Sequence, residues 1–420
     1  MDRSAPAQTM PCPSCQAILP VNPYFATWCE SCNWNIKPAT PPQPGDEGVF
    51  AREYAKIGKH QAEALFKSLA AQPHTMTRNS PTTYGALAFA LLIHATTFGL
   101  VLLGLALIFR GWPNLLAAGL GAFSLAFAWS MRPRVIPFPR RILPRSQFPA
   151  TYALADALSD RLGTYRVEAI VIEDHFNAAL GHAGWRHLPV LYLGLPLWAI
   201  LDDRERLALL AHELAHEANG DVGRGIAIGS AIEALAAWYG AISPPTGRVS
   251  WEYAWGDFIA VPIMKTLRLI PHAGIVLLCH LLWRDSQRAE YLADRLAART
   301  AGTDATLGLL DKIQLGQSFE LSLQRAAYGR DNEGLFDALR RRIRELPARE
   351  MERIRRVQQL TDARLDRTHP PTPYRIDLLR HQSGEATTDP GDLTLLSDAA
   401  TELAALEAVF AREMIADYSG

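Results

Sequence analysis

Leu209-Leu210-Ala211-His212-Glu213-Leu214-Ala215-His216-Glu217 is the stretch on which the reading of the whole chain turns. Two histidines four residues apart lie on the same face of a helix, so both imidazoles can reach one tetrahedral metal ion. Glu213 points off that face by about a quarter turn. It is poorly aimed as a third ligand and well placed to take a proton from a water activated at the metal. The surroundings favour a helix. Asp202 or Asp203 can serve as N-cap, Leu207, Leu210 and Leu214 repeat at helical spacing, and Asn219-Gly220 stops the helix after Ala218.

A site of this kind needs a third ligand from elsewhere. Arg288-Ala-Glu290-Tyr-Leu-Ala-Asp294 offers two carboxylates one helical turn apart. Glu290 can ligate the metal while Asp294 accepts an N–H from a ligand histidine and fixes its tautomer. Two neutral imidazoles and one carboxylate leave a zinc site at about +1 with an open position, suited to activating water. By itself the stretch would read as a surface helix with charges at i,i+4, Glu290 or Asp294 pairing with Arg288 or Arg295. The histidine pair reverses that reading.

A second metal site is written into the N-terminus. Cys12-Pro-Ser-Cys15 and Cys29-Glu-Ser-Cys32 form two knuckles that would close four thiolates around a structural zinc, giving a zinc ribbon over residues 1–36. Such paired thiols imply a reducing compartment. The fifth cysteine, Cys279, falls in an apolar helix and reads as a buried small residue.

Residues 37–82 read as a linker. Lys37-Pro-Ala-Thr-Pro-Pro-Gln-Pro44 is extended, and residues 49–71 follow as an amphipathic helix carrying Leu65, Phe66 and Leu69. The first ten residues lack an apolar core, so membrane insertion is expected to use an internal segment. Residues 83–131 supply one, a transmembrane helical hairpin. Tyr84–Phe109 and Trp112–Met131 are apolar runs of spanning length joined by a tight turn at Arg110. Lys67 and Arg78 precede the first run, and Arg132, Arg134, Arg140 and Arg141 follow the second, so both flanks face the cytoplasm. The expected location is a cell membrane, with N-terminus and catalytic domain on the cytoplasmic side.

Across the 420 residues a net charge of -1 exerts no global pull on nucleic acid, which is not an expected partner. From 149 onward the pattern is α+β. Thr151–Leu162 is helical, and Val167–Ile172 and Leu188–Leu195 are strands. Residues 225–242 and 258–283 are apolar and interrupted by charge or proline, which fits either membrane embedding or packing on the hairpin. Arg340 to Arg356 reads as a solvated Arg/Glu face, and residues 384–420 as a C-terminal helical tail.

With these motifs in place the chain resembles the HtpX-like and CaaX-prenyl-protease-like integral-membrane zinc endopeptidases, which include the mitochondrial protease Oma. Leu209–Asp221 looks like the first zinc helix of that family, the Glu290/Asp294 pair like its second, and Thr368-His369-Pro370-Pro371 with Arg375 like its C-terminal signature. The resemblance implies a mostly helical zincin-like domain with a small sheet over 149–383. It implies His212, His216 and Glu290 as zinc ligands and Glu213 as general base. His369 would stabilise the oxyanion, and Arg375 would orient site carboxylates or substrate. Asn177 and the strand with Leu191, Leu193 and Gly194 look like the segment where a peptide adds its own strand. Leu193-Gly-Leu195 is more apolar than the small-polar and glycine pair usual there, which leaves substrate preference open. The ribbon is not part of the family pattern.

The expected function is zinc-dependent hydrolysis of membrane or membrane-adjacent polypeptides, with the lipid bilayer and a protein at the ribbon as further partners. The alternative is a catalytically silent zinc-stabilised scaffold that recruits partners through the ribbon. Cleavage of prenylated C-termini would normally need a chamber of several more membrane helices.

Overall fold

The computed structural model describes residues 8–22, 25–37, 62–69, 81–132, 136–218, 221–243, 254–331, 333–361, 370–381 and 390–419. Its largest core lies around a three-stranded sheet and the helix of the histidine pair. Strand β3 (Ala169–Glu173) runs parallel to β5 (Leu188–Gly194), and β4 (Ala178–Ala183) runs antiparallel to β5 on its other side. The smaller strands β1 (Gln8–Pro11) and β2 (Ile18–Val21) form the N-terminal hairpin.

The sheet corrects one expectation. With the order β3-β5-β4, the strand carrying Leu191, Leu193 and Gly194 is central, and neighbours occupy both of its edges. A peptide therefore has no backbone to pair with on β5; the edges of the sheet are β3 and β4, and β4 begins one residue after Asn177. Ala178-Ala-Leu-Gly-His-Ala183 is hard to recognise as a strand because it has no β-branched residue and no clean alternation. Gly194 is explained by packing, since a Cβ there would sit 1.9 Å from the His175 carbonyl and 2.3 Å from that of Asn177. The chain crosses over it at that point, and the Gly194 amide donates to Asn177 at 2.8 Å.

Helix α6 (Asp203–Ala218) holds both histidines. Asp202 caps it: its carboxylate accepts the Glu205 amide at 2.9 Å, while the Glu205 carboxylate accepts the Asp202 amide at 2.8 Å. Two orphan donors are satisfied reciprocally at the start of the helix. Leu207, Leu210 and Leu214 then enter the same core as Ile170, Leu191 and Leu193 of the sheet. Helix α4 (Pro149–Leu162) packs on α6, with proline in its first turn and Gly163 at φ 67° at its end.

The other helices are α1 (62–69), α2 (Pro81–Gly111), α3 (Leu115–Ser130), α5 (Leu195–Ile200), α7 (Asp221–Ile242), α8 (Ala254–Leu267), α9 (Leu269–Ala301), α10 (Thr303–Lys312), α11 (Gly316–Ala327), α12 (Leu335–Arg344), α13 (Ala348–Thr361), α14 (Thr372–His381), α15 (Pro390–Ala404) and α16 (Glu407–Ser419). The last two are no appended tail. Leu396, Ala399, Leu403 and Met414 share the main core, and Glu402 accepts the amides of Ala150 and Thr151 at the start of α4. The arginine-rich stretch is also engaged rather than solvated. Arg340 donates to the Ala199 carbonyl and pairs with Glu407, Arg355 pairs with Asp311, and Arg349, Arg353 and Arg356 contact the N-terminal ribbon.

Two segments, Pro81–Gly111 and Val261–Ala301, are long and apolar enough to cross a membrane. Only 11% and 22% of their most apolar windows are buried, unlike core helices of a soluble domain. Helix α3 is shorter than its apolar run, because the turn consumes the first residues and Asn114 caps the helix by accepting from Leu116 and Ala117. Its 16 residues reach about 24 Å, short of a hydrocarbon core of about 30 Å. The α2–α3 contact is close at Gly104, where a Cβ would lie 2.9 Å from the Gly121 carbonyl. Helix α7 packs on α2 and α9, with Ile228, Ala231 and Leu235 against Ala86, Ala90 and Leu278. His94 joins α2 to α7 through Ser230 and the Ala227 carbonyl, each at 3.1 Å. Cys279 is half-buried in α9 rather than fully buried.

Gly194→Ala tests the crossing. It should lower the thermal unfolding midpoint, costing roughly 1–3 kcal/mol or more through overpacking. Gly181→Ala, whose Cβ meets only the Tyr192 ring edge at 3.1 Å, should be nearly silent.

Candidate metal centre

Helices α6 and α9 bring the expected residues together. The Nε2 of His212 lies 3.6 Å from one Glu290 oxygen, and the Nε2 of His216 lies 3.5 Å from the other. Ligands at about 2.0–2.1 Å from a tetrahedral zinc are themselves separated by about 3.3 Å, so each histidine stands at about ligand spacing from one oxygen of the Glu290 carboxylate. The two rings stand nearly perpendicular, at 88° with centroids 5.0 Å apart, on one face of the helix. The donor set is two imidazoles and one carboxylate, borderline ligands that suit zinc.

Behind these atoms lies a buried charge relay. His212 Nδ1 is 3.1 Å from Asp294 Oδ1, which leaves Nε2 to face the metal position. Asp294 in turn accepts from Arg375 Nε at 2.8 Å and from its terminal nitrogen at 2.6 Å. Arg375, on α14, also approaches Glu290 at 3.5 Å. Asp294 thus lies against His212, and Arg375 against both carboxylates. Without an ion, burial works against the His212 cation. The hydrogen bonds to Asp294 and Glu290 outweigh it and take the pKa up to about 10. A proton there stands in for part of the cation charge that the two carboxylates are built to receive.

Glu213 is buried, and its carboxylate accepts the Leu180 amide of edge strand β4 at 3.2 Å. This bond fixes which way the backbone faces. Leu180 turns its amide away from β5 and towards α6, and by period two Ala178 and His182 share that direction. Nearby, His182 Nε2 lies 3.2 Å from a Glu217 oxygen one turn beyond Glu213. Sequence reading missed both Leu180 and the His182–Glu217 pair. The signal for Glu217 was its i+4 spacing from Glu213; nothing local marked its partner. His369 lies outside the described residues.

The cysteines form a second cluster. Cys12 and Cys32 sulfurs are 3.6 Å apart, and those of Cys15 and Cys29 3.5 Å, close to the roughly 3.8 Å edge of a zinc tetrathiolate. Burial raises the Cys29 pKa, but amide N–H groups of Cys32 and Ser31 favour the thiolate and bring it down to about 6. Donor chemistry and spacing both fit a closed zinc knuckle.

The family model for Peptidase family M48 matches residues 151–383, more than half of the chain, and the chain belongs to this family. It is therefore a metallopeptidase, with a mostly helical, zincin-like catalytic domain and a small sheet. No curated protein and no solved structure matches the chain.

Asp294→Asn should weaken zinc affinity by about 10–100-fold in chelator competition, the usual cost of losing a carboxylate behind a ligand histidine. Linkage gives a second readout on metal-free protein. The folded His212 pKa of about 10 exceeds the ordinary 6.5. Its stabilisation is therefore complete below pH 6.5 and lost as pH rises towards 10. The thermal midpoint of chelator-treated protein should fall over that window, and the fall should shrink in Asp294→Asn.

Proposed function

We propose that the protein is a membrane-bound, zinc-dependent endopeptidase that hydrolyses membrane or membrane-adjacent polypeptides at the cytoplasmic face. The observation that carries this reading is the convergence of His212, His216 and Glu290 beside a buried Glu213 that is tied to an edge strand. His212, His216 and Glu290 would hold the zinc, with Asp294 and Arg375 fixing their charge and orientation. Bound zinc would polarise the scissile carbonyl and acidify the attacking water.

The chain's own residues account for the rest. The outer edge of β4 offers backbone groups with which an extended peptide can pair, delivering its carbonyl alongside α6. Glu213 takes the proton from the attacking water and returns it to the leaving amine. Its bond to Leu180 holds the carboxylate at the boundary between substrate strand and metal, so base and substrate share one reference point. A scaffold would have no need of such a base. Support for the membrane setting comes from the two apolar helices, and for the cytoplasmic face from Lys67 and Arg78, which precede the first of them.

The test is Glu213→Gln in purified zinc-loaded protein. Zinc content should be unchanged, while cleavage of an unstructured peptide falls by about 10²–10⁴-fold, the usual contribution of a general base. Undiminished cleavage would reject Glu213 as the base.

A further inference from the structure

The N-terminal ribbon lies against α13. Its own small core consists of Cys12, Leu19 and Cys29 with Met10, Ala17 and Trp34 packed around them. Trp28 is absent from that core yet is 0% exposed. Its cover comes from α13, whose Arg349 and Arg356 guanidiniums each lie 5.1 Å from its ring centroid. A tryptophan clasped by two cations is a specific contact.

The surrounding hydrogen bonds are aimed at backbone conformation. Arg349 donates to the Trp28 carbonyl and pairs with Glu30. Arg353 donates to the Ile36 carbonyl at 2.9 Å, and Arg356 to the Glu30 carbonyl at 2.7 Å and the Asn33 side chain at 3.2 Å. All of these acceptors belong to the second knuckle, the turn that brackets Cys29 and Cys32. Asn33 and Asn35 hold left-handed φ values of 58° and 55° there, so the carbonyls point this way only while the knuckle keeps its fold. The arginines at 349, 353 and 356 repeat at i, i+4 and i+7, one stripe of the helix.

We infer that the ribbon acts in cis: its folded second knuckle is bound by the arginine stripe of α13, and this clamp steadies the α13–α14 unit that carries Arg375. The path is short and physically continuous. Helix α13 packs on α14 and is tied to α10 through Arg355 and Asp311. Helix α14 places Arg375 against Asp294 and Glu290. A protein partner that recognises the Trp28 face must first displace α13, so recruitment through that face and clamping exclude each other. The consequence for catalysis rests on the peptidase reading; the docking and its effect on α14 do not.

Hydrogen exchange of the full-length chain in detergent tests the clamp without reference to activity. Two variants approach it from opposite sides. Arg349→Ala/Arg356→Ala leaves the ribbon sequence intact and replaces arginine with a residue of higher helix propensity, so α13 keeps its helical tendency. Trp28→Ala leaves α13 intact. Exchange should rise at least tenfold across residues 28–36 and at least threefold across 372–381 in both variants. In the arginine variant the buried Cys12 and Cys29 should remain protected from alkylation. Unchanged exchange at 28–36 would overturn the docking, and unchanged exchange at 372–381 would overturn the clamp.

Discussion

The carboxylate of Asp294 is the joint on which the site depends. It is 1% exposed and accepts simultaneously from the ring of His212 and from two nitrogens of Arg375. An ionised carboxylate buried to that degree is costly unless paired and hydrogen-bonded, and here both conditions are met from three helices at once. Helix α6 supplies the imidazole, α9 the carboxylate and α14 the guanidinium, so the ion cluster fixes the relative placement of all three. Glu290, one turn from Asp294 on α9, arrives at the metal position as a consequence. Arg375 thus has a charge role before any substrate is present. It balances two buried carboxylates and leaves room for one cation between Glu290 and the histidines.

Much of this site was legible from spacing alone. His212 and His216, and Glu290 and Asp294, are i,i+4 pairs, and helical geometry compels each pair to share a face. The capping box at Asp202 and Glu205 could likewise be read from residue types. What could not be read was anything set by long-range placement. The strand β4 is built from alanine, glycine and leucine with no β pattern, so its place at the sheet edge emerges only once β5 has been paired on its other side. For the same reason Leu191 and Leu193 looked like a substrate strand and lie instead at the centre of the sheet. Arg349, Arg353 and Arg356 illustrate a different limit. Their single stripe was visible, but a charged helical face is ordinarily solvated, and only the fold brings Trp28 to it.

Helices α2, α6, α7, α10 and α14 pack around α9. Its apolar half belongs with α2 and α7, and its polar half delivers Glu290 and Asp294 to α6. One continuous helix therefore couples an apolar, lipid-compatible layer to the metal site. Helix α1 lies on the outer side of the same junction, with Leu65 and Leu69 against Tyr291 and Leu378 and Phe66 stacked on Tyr374. The ribbon meets α13 one helix further on. The elements that precede the catalytic domain in sequence thus close over α9, α13 and α14, the helices that hold the carboxylates and the guanidinium.

The most direct test of the account is zinc-edge anomalous scattering from crystals of the zinc-loaded full-length protein. The account predicts a peak at about 2.0–2.2 Å from His212 Nε2, His216 Nε2 and a Glu290 oxygen, with Asp294 bridging His212 and Arg375. A metal bound by the histidines with Glu290 turned away and another residue as third ligand would contradict it.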